Sequence, residues 1–342
     1  MARDINIEMT RYNGTDYDTL YPKTTVSQVD GAQPKLTGGQ YVDISSSNVI
    51  DTKAFPCNPN LLDNWYFGNP VNQRGQTSYT GAVYGIDRWK GYQATVTATV
   101  RNDGLGIQRS TGEFYTILQY IEFPKRLAGQ TVTFSVLTKS APGSYRLRIM
   151  SGIDSPVQLA QSVIRFAEET GVTAVSVTLP ASIDNLWVSI YTSTTSTPFV
   201  FSATKLELGS QQTLAHQENG VWVLNEIPDY GEQLRRCQRY LVPLSVDTSA
   251  ICRTGSSADT LCISFWPTPQ PMRAKPVLVI ANPGNFRGYL KNVMRVPTTA
   301  EVNKLSNLGV RIDFTIPTGS GVNEIGMMTY TADTIGFLSA EL

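Results

Sequence analysis

The feature of this sequence that most restricts its fold is an alternation of apolar and polar residues with a period of two. The alternation recurs between residues 60 and 209 in seven or eight short segments that Gly-, Pro- and Ser-containing turns separate. Successive side chains of a β-strand point to opposite faces of a sheet, so this pattern predicts a β-sandwich. The main segments are 94–100, 116–123, 131–137, 145–150, 172–179, 186–191 and 199–208.

A second set of strand-like segments follows residue 230 and predicts another, smaller β-sandwich. A chain of 342 residues exceeds the size at which one hydrophobic core usually stops growing, which also favours two domains. Residues 157–169 fit either a helix or a strand followed by a loop, and the strands on both sides favour the strand. The C-terminal segments are 261–266, 276–280, 289–296, 309–316, 326–331 and 335–340.

These patterns predict an all-β protein in four parts. Residues 1–55 are polar and turn-prone, contain a possible strand at 4–9, and form an extended N-terminal attachment arm. The first sandwich spans residues 56–210, and a polar connector spans residues 211–229. The C-terminal β-domain spans residues 230–342 and begins with a short helix.

That helix is predicted from residues 230–244, YGEQLRRCQRYLVPL. Asp229 is its N-cap and Glu232 lies at the spacing of a capping box. Leu234, Cys237 and Leu241 recur at i, i+3 and i+7, which predicts one narrow apolar stripe. Three turns are marginal for a helix in water, so the helix must dock on a sheet or a second chain.

Charge and hydropathy exclude two classes of partner. The chain has 28 Lys and Arg and 28 Asp and Glu residues, and this balance lacks the basic excess that nucleic-acid binding favours. The first residues contain no apolar segment of the length that a secretion signal needs, and no apolar run approaches the length of a transmembrane helix. We therefore predict no nucleic acid and no membrane insertion, with folding in a cytoplasm.

The four cysteines match no zinc-site spacing. Buried free thiols are the favoured interpretation, and a hairpin disulfide between Cys252 and Cys262 is the alternative. The cysteines are Cys57, Cys237, Cys252 and Cys262.

The sequence offers little for catalysis. The single histidine, His216, lies in the connector, which makes a Ser-His-Asp triad or a His-rich metal site an unfavourable interpretation. No glycine pattern follows a strand and opens a helix, and residues 102–112 are predicted to form a hairpin or loop. Carboxylate pairs are the remaining enzyme signal, and we predict a non-enzyme. The candidate carboxylates are Asp87, Asp103, Glu113 and Glu122.

Aromatic residues indicate a different chemistry. Seven of them cluster between residues 65 and 92, and exposed Tyr or Trp rings suit the C–H faces of sugars. Trp89 and Trp187 alternate with polar residues and are predicted to be core. Tyr79, Tyr84 and Tyr92 lie in turn-rich sequence and are the candidate carbohydrate-binding residues.

Several motifs together resemble a known family. They are NLLDNWYFGNPVNQRG at 60–75, YGIDRWKG at 84–91, QYIEFPKRLAGQTVTFSVLTKS at 119–140, KLELG at 205–209, LRRCQRY at 234–240 and ISFWPTPQPMRAKPVLVI at 263–280. The first four, in this order, resemble the carbohydrate-binding-module-like jelly roll of bacteriophage tail fibres and related tail or baseplate proteins, and the last two resemble the junction and the C-terminal segment that follow this jelly roll in phage proteins. Leu241 departs from the second Tyr that is usual after the CQRY motif. RYNGTDYDTLYPKTT at 11–25 is similar, more weakly, to the opening of tail-associated proteins from phages of Gram-positive bacteria.

The resemblance implies a virion protein of the tail tip, baseplate or fibre, assembled in the bacterial host cytoplasm. Its partners would be other virion proteins and two further copies in a homotrimer, and its ligand a host cell-wall or capsular glycan. The alternatives are a purely structural head or collar fibre and, less favoured, a polysaccharide depolymerase. No cofactor is implied. A structural calcium ion is compatible with oxygen ligands at strand ends, although no EF-hand-like loop is present.

Overall fold

The chain divides into two compact units, Met1–Pro56 and Cys57–Leu342. The computed structural model describes residues 9–12, 17–20, 42–44, 50–52, 58–92, 96–109, 115–139, 144–166, 170–192, 198–246, 248–255, 260–319, 321–332 and 335–341. In the first unit the described strands form two antiparallel pairs, β1 with β2 and β3 with β4. They are β1 (Met9–Tyr12), β2 (Tyr17–Leu20), β3 (Val42–Ile44) and β4 (Ile50–Thr52).

The second unit begins with an antiparallel β-sandwich of the jelly-roll kind. One sheet has the strand order β14-β10-β16-β8-β7-β5, and the other has the order β12-β11-β15-β9-β6 with β13 paired to β11. The strands are β5 (Ser78–Thr80), β6 (Lys90–Gly91), β7 (Val96–Arg101), β8 (Gly104–Arg109), β9 (Tyr115–Tyr120), β10 (Thr131–Lys139), β11 (Ser144–Ser151), β12 (Val157–Gln161), β13 (Arg165–Phe166), β14 (Gly171–Thr178), β15 (Leu186–Thr192) and β16 (Phe199–Leu208). A 3₁₀ turn, Pro124–Leu127, separates β9 from β10.

The core between these two sheets follows from the alternation in the sequence. On β15, Leu186, Val188 and Ile190 point inward and are almost fully buried. Aromatic rings fill the centre, where Phe67 meets Trp89 and Phe201 edge to face. Burial of this apolar area is the main favourable contribution to the stability of the sandwich.

A hairpin and the helix connect the jelly roll to a second β-sandwich. The hairpin is β17 (Ala215–Glu218) with β18 (Val221–Leu224), and the helix is α1 (Tyr230–Gln238). A three-stranded sheet of order β19-β28-β22 and a seven-stranded sheet of order β24-β23-β27-β20-β21-β26-β25 follow. Their strands are β19 (Leu241–Leu244), β20 (Ser249–Thr254), β21 (Leu261–Pro267), β22 (Val277–Val279), β23 (Phe286–Leu290), β24 (Val293–Arg295), β25 (Thr299–Ser306), β26 (Gly309–Thr315), β27 (Ile325–Tyr330) and β28 (Gly336–Ser339), with a 3₁₀ turn at Pro283–Asn285.

These two sheets enclose a separate hydrophobic core. At its centre, the ring of Phe286 packs edge to face against Trp266, Phe314 and Tyr330, with ring centroids 4.9–5.6 Å apart. Among the described cysteines, Cys237, Cys252 and Cys262 are buried free thiols. The expected thiols are thus found there, and the Cys252–Cys262 disulfide is not, whereas Cys57 lies outside the described residues.

The predicted all-β fold class is confirmed: two β-sandwiches are joined through a short helix. Residues 157–169 contain strands β12 and β13, as favoured, and within 102–112 the described residues 102–109 contribute the turn and second strand of the β7–β8 hairpin. The predicted single strand at 289–296 is instead part of a hairpin, because Lys291 and Asn292 adopt positive φ and form its turn. Of the predicted strand at 4–9, only Met9 is described. Within the described residues no helix is long and apolar enough to cross a membrane.

Candidate functional site

Many of the residues that were predicted from the sequence to be functional or structural lie in two regions of the second unit. The first, here called the polar junction, lies where α1 packs against the jelly roll. The second, here called the aromatic face, is the side of the β12-β11-β15-β9-β6 sheet that points away from the core. The junction comprises Asp63, Asn64, Asp87, Arg88, Glu122, Gln233, Arg236, Arg239 and Tyr240.

The loop that contains the NLLDNW motif contributes Asp63 and Asn64 to the polar junction. Asn64 adopts a left-handed φ of 52°, a conformation that Asn tolerates better than most residues. Its side-chain amide donates to the carbonyls of Val71 and Asp87 at 2.8 and 2.9 Å. Its own carbonyl accepts from the indole N–H of Trp89 at 2.9 Å. Trp89 is fully buried, which agrees with its predicted structural role.

Asp63 joins the jelly roll to α1 through two arginines. Its carboxylate accepts from Arg88 Nε at 3.0 Å and pairs with Arg236 Nε of the helix at 2.7 Å. Arg88 is almost fully buried and its guanidinium lies 3.5 Å from the centroid of the Tyr240 ring. A buried cation of this kind requires its carboxylate and ring partners, because an unpaired buried charge is strongly unfavourable.

Glu122 makes the second connection to the CQRY motif. Arg239 donates to both of its carboxylate oxygens at 2.8 and 3.1 Å, and the Tyr240 hydroxyl donates to one of them at 2.7 Å. The backbone N–H of Asn64 donates to Gln233 Oε1 of α1 at 2.7 Å. The motifs at 60–75, 84–91, 119–140 and 234–240, which are far apart in sequence, therefore meet in one network.

Asp87 lies at the edge of this network. It accepts from the backbone N–H and side-chain amide of Gln73 at 3.2 and 2.6 Å, and it pairs with Arg74, which also pairs with Glu341 near the C-terminus. Burial is the main cause that raises the pKa of Asp87 to about 7, and the nearby Glu341 adds to it against the opposing effect of Gln73 and Arg74.

The helix junction is confirmed in part. Asp229 is the N-cap, and its carboxylate accepts from the backbone N–H of Glu232 at 2.7 Å. Glu232 pairs with Arg235 one turn later, so the capping box is half formed. Cys237 is fully buried, as predicted, and Leu234 is half-buried.

The predicted stripe is wrong at Leu241. The helix ends at Gln238, and Leu241 is the first residue of β19, buried in the C-terminal sandwich. Gln233 takes the place of an apolar contact on the docked side of the helix, where it is buried against Asn64. The helix docks through polar partners that a search for apolar periodicity does not detect.

Asp229→Ala is expected to lower the free energy of unfolding by about 1 kcal/mol, because the first turn of α1 loses the acceptor of its N-cap. Urea unfolding measures the change. Asp184→Ala is the matched control, since the Asp184 side chain is 73% exposed and its pair with Lys125 lies at the surface. Equal effects of the two substitutions would contradict the capping role.

Among the three candidate tyrosines, Tyr79 is wrongly predicted. It is the middle residue of β5, pairs with Ala98 of β7 and is only 6% exposed. Its hydroxyl donates to Asn72 Oδ1. The three-residue strand turns the ring into the core, so it offers no face to a ligand.

Tyr84 is half-buried beside the polar junction. Its ring centroid lies 5.9 Å from the Arg74 guanidinium and 5.5 Å from Lys90 Nζ. Burial, with a smaller contribution from Glu341, raises the pKa of its phenol. These surroundings give Tyr84 a packing role between the jelly roll and the C-terminal segment.

Tyr92 is the predicted tyrosine that remains accessible, at 53% exposure. It follows β6 at the edge of the aromatic face. Burial and the neighbouring Tyr92 phenol raise the pKa of Tyr120, which lies at the end of the adjacent strand β9. The Tyr120 ring is half-buried and lies 6.3 Å from the ring of Trp187 on β15.

The strand register arranges the aromatic face in rows. In one row, Tyr120 is opposite Trp187, which is opposite Met150. The next row across the same strands runs from Leu118 through Ser189 to Arg148. Gln161 and Lys90 extend this second row at its two ends.

Arg148 is held in place on the aromatic face. Its guanidinium lies 4.0 Å from the centroid of the Tyr191 ring, and its Nε donates to Gln161 Oε1 at 2.8 Å. Ser189, with the shortest side chain, lies between Trp187 and Tyr191 on the same side of β15. Trp187 and Tyr191 are themselves buried, at 7% and 8% exposure, so Tyr92 and the half-buried Tyr120 are the tyrosines of this face that remain accessible.

The described candidate catalytic carboxylates each contact different partners. Asp87 contacts Arg74 and Gln73, Glu122 contacts Arg239 and Tyr240, and Asp103 pairs with Arg101 at the surface. Glu113 lies outside the described residues. In the part of the chain that the structure describes, no three His, Cys, Asp or Glu side chains form a metal-binding group, so the calcium ion has no located ligands.

No protein-family model and no curated protein matches the chain. Among solved structures, it is similar to a CBM4 carbohydrate-binding module, at 18% identity over 43% of this chain and 99% of that one, with a TM-score of 0.31. It is also similar to the N-terminal CBM22 tandem domain of Paenibacillus barcinonensis Xyn10C, at 11% identity over 82% and 95% of the chains, with a TM-score of 0.29.

A third similar structure is the enzymatically active domain of tailspike protein 4 from bacteriophage CBA120. It is 11% identical, the match covers 44% of this chain and 21% of that one, and the TM-score is 0.28. The modules and the tailspike are distant likenesses, and the fold class of this protein rests on its own sheets and registers.

Proposed function

We propose that this protein is a bacteriophage virion component of the tail tip, baseplate or fibre whose jelly roll binds host cell-surface carbohydrate. The observation that carries the binding part is the aromatic face, which presents Tyr92 and Tyr120 at its β6–β9 side and, across β15, an arginine of β11 held by Tyr191 and Gln161. The virion part of the proposal rests on the motifs that, in their order along the sequence, resemble those of phage tail proteins.

The chemistry of the aromatic face suits a sugar. Tyrosine rings pack against the C–H faces of a pyranose, while guanidinium and amide groups donate hydrogen bonds to its hydroxyls. Arg148 is already ordered by its ring and amide partners, so binding loses little side-chain entropy there. A neutral glycan would be recognised by Arg148 and Gln161 together, and an acidic glycan would additionally pair with Arg148.

Weak single sites favour several copies on one virion. A shallow sugar site has a dissociation constant on the order of 1 mM, or roughly −4 kcal/mol, and display on several copies raises the effective affinity by about 10² to 10⁴. Copies in a homotrimer, together with repeated attachment to the particle, supply this multivalency. Attachment through the N-terminal residues is part of the same proposal.

The proposal is tested by binding of the full-length protein to intact cell walls of candidate Gram-positive hosts, before and after their wall polysaccharide is chemically removed. We expect binding that is lost on removal. No binding to any wall by folded protein would overturn carbohydrate recognition and favour a structural head or collar fibre. Release of new reducing ends from the glycan would instead identify a depolymerase.

Two substitutions locate the site. Tyr92→Ala and Arg148→Ala are each expected to weaken wall binding about tenfold, since each removes one ring or one charged donor from the aromatic face. Tyr230→Ala is the matched control, because Tyr230 is a 44% exposed tyrosine at the start of α1, outside the face. Full binding by both site variants would rule out the aromatic face while leaving carbohydrate binding in place.

A further inference from the structure

The seven-stranded sheet of the C-terminal sandwich carries exposed apolar side chains on the face away from its core. Tyr289 pairs with Met294 and with Met327, and Met327 pairs with Ile251. Cys252 pairs with Ser264, so the preceding Ile251 stands opposite the following Phe265. The register therefore aligns five apolar side chains across five strands. Their exposed fractions are 52% for Met294, 46% for Tyr289, 48% for Met327, 75% for Ile251 and 45% for Phe265.

A second row widens this surface. Ile325 pairs with Arg253, which pairs with Ile263. Ile325 is 74% exposed, and an open groove of about 620 Å³ lies between it, Ile251 and Phe265. We call the six exposed residues the apolar row: Ile251, Phe265, Tyr289, Met294, Ile325 and Met327.

The core of the sandwich is formed by other residues of the same strands, which point to the inner side of the sheet. The exposed apolar side chains are therefore not needed to build that core. Cys252, Met328 and Phe286 alternate with the apolar row and are almost completely buried in the C-terminal core. A sheet with one solvated face normally alternates apolar and polar residues. Here β20, β23 and β27 carry apolar side chains on both faces, which is the pattern of a sheet covered on both sides.

The area of the apolar row matches what an interface between proteins requires. From the exposed fractions, the six side chains present on the order of 600 Å². This equals or exceeds the largest apolar patch of a typical monomer, about 300–600 Å², and the charged residues around it bring the surface near the roughly 800 Å² per partner of a stable complex.

We propose that the apolar row is the surface through which copies of this chain associate, with the rows of all copies meeting at the symmetry axis of the oligomer. Interfaces between identical subunits are more apolar than other interfaces, and aromatic residues and Met are enriched in them. The border carries both signs of charge, since Arg311 and Asp313 form an ion pair beside Phe265.

The charge of the chain is also compatible with a second copy as the occupant. Its formal net charge is zero, so identical copies have no net charge to repel one another. A surface that binds an acidic or basic partner would instead be bordered by charged residues of one sign. The proposal stands independently of carbohydrate binding, because the aromatic face and the apolar row belong to different sandwiches.

The test is the molar mass of the full-length protein at micromolar concentration, measured by sedimentation equilibrium. We expect a mass of two or more chains, and a trimer would agree with the resemblance to tail proteins. Ile251→Asp is expected to raise the dissociation constant at least about 100-fold, because an aspartate would be buried without a partner in each interface.

Leu308→Asp is the matched control, since Leu308 is also 75% exposed but lies in the turn between β25 and β26. It is expected to leave the mass unchanged. Ile325→Lys provides a second variant of the row, and circular dichroism verifies that each variant folds. A monomeric wild type, or a folded Ile251→Asp and a folded Ile325→Lys that both keep the wild-type mass, would overturn the proposal. A row variant that becomes monomeric but still binds walls, more weakly only because it has lost multivalency, would separate this interface from the carbohydrate site of the proposed function.

Discussion

Asp63→Asn is expected to lower the free energy of unfolding by about 3–5 kcal/mol. The substitution keeps the shape of the side chain but removes the charge that two arginines share. Arg236 is one-third exposed and recovers solvation, whereas the Arg88 guanidinium is 2% exposed and keeps no carboxylate partner. The cost arises because Arg88 remains a buried, unpaired cation.

Urea unfolding monitored by tryptophan fluorescence measures this loss. Asp103→Asn is the matched control: Asp103 pairs with Arg101 in the same sandwich, but both side chains are more than 40% exposed, so its loss is expected to be below about 1 kcal/mol. If Asp63→Asn cost no more than this control, Asp63 would not be essential for balancing the buried Arg88 charge. A double substitution, Asp63→Asn with Arg88→Met, is expected to recover part of the stability, because it removes the unpaired charge itself.

The polar junction explains why the short helix exists in a protein of strands. The hairpin β17–β18 brings the chain out of the jelly roll, and α1 with its C-cap residue Arg239 then presents Gln233, Arg236 and Arg239 to jelly-roll partners. A strand offers backbone groups along its edges and alternates its side chains between two faces. One helix turn, in contrast, places side chains three apart on the same side. Residues 233, 236 and 239 use this spacing.

The sequence predicted the strands well because their signal is local. In β11 and β15, the period of two assigns each residue to the core or to the opposite face without reference to any other strand. The cap at Asp229 was predicted for the same reason, since the acceptor and its N–H are three residues apart. Trp89 was assigned to the core from its place in an alternating segment.

The sites were harder to predict because they depend on pairings across long stretches of chain. Tyr79 lies in turn-rich sequence, and only its register with Ala98 shows that the ring turns inward. Tyr120 and Trp187 are 67 positions apart in the sequence and become neighbours through the β9–β15 register. Trp187 was predicted to be core, whereas the structure places it on the face away from the main core, where it is buried beside Leu118 and Met150.

The same limit applies to the polar junction. Glu122 and Arg239 are separated by 117 residues, and neither lies in a segment whose period predicts an ion pair. The motif resemblance could have indicated this junction, because the NLLDN, DRW and CQRY motifs contribute most of the residues that contact one another in it. Motifs that contain buried charges in a β-rich chain indicate an interface, because a lone buried charge is too costly to retain without a partner.

The stability of the protein is also expected to fall as the pH is raised from about 4 to 7, with Asp87 as the main cause. Burial raises the pKa of Asp87 from 3.8 to about 7, so between these values the folded chain holds a proton that the unfolded chain has released. Folding then binds a proton, and stability decreases with rising pH across that range. A shift of about three units corresponds to roughly 4 kcal/mol over the full range.

Asp87→Asn tests this assignment, because its amide oxygen can still accept from one of the two Gln73 donors but the side chain does not ionise. Urea unfolding at several pH values between about 4 and 7 is expected to show a much smaller pH dependence in this variant. Some dependence should remain, since burial also raises the pKa of Glu341, the other carboxyl group beside Arg74. Asp103→Asn should keep the full wild-type slope, because its ion pair with Arg101 lowers the pKa of Asp103 and places its titration below this range. An unchanged slope in Asp87→Asn would show that Asp87 is already ionised in the folded protein, with Arg74 balancing its charge more strongly than burial opposes it.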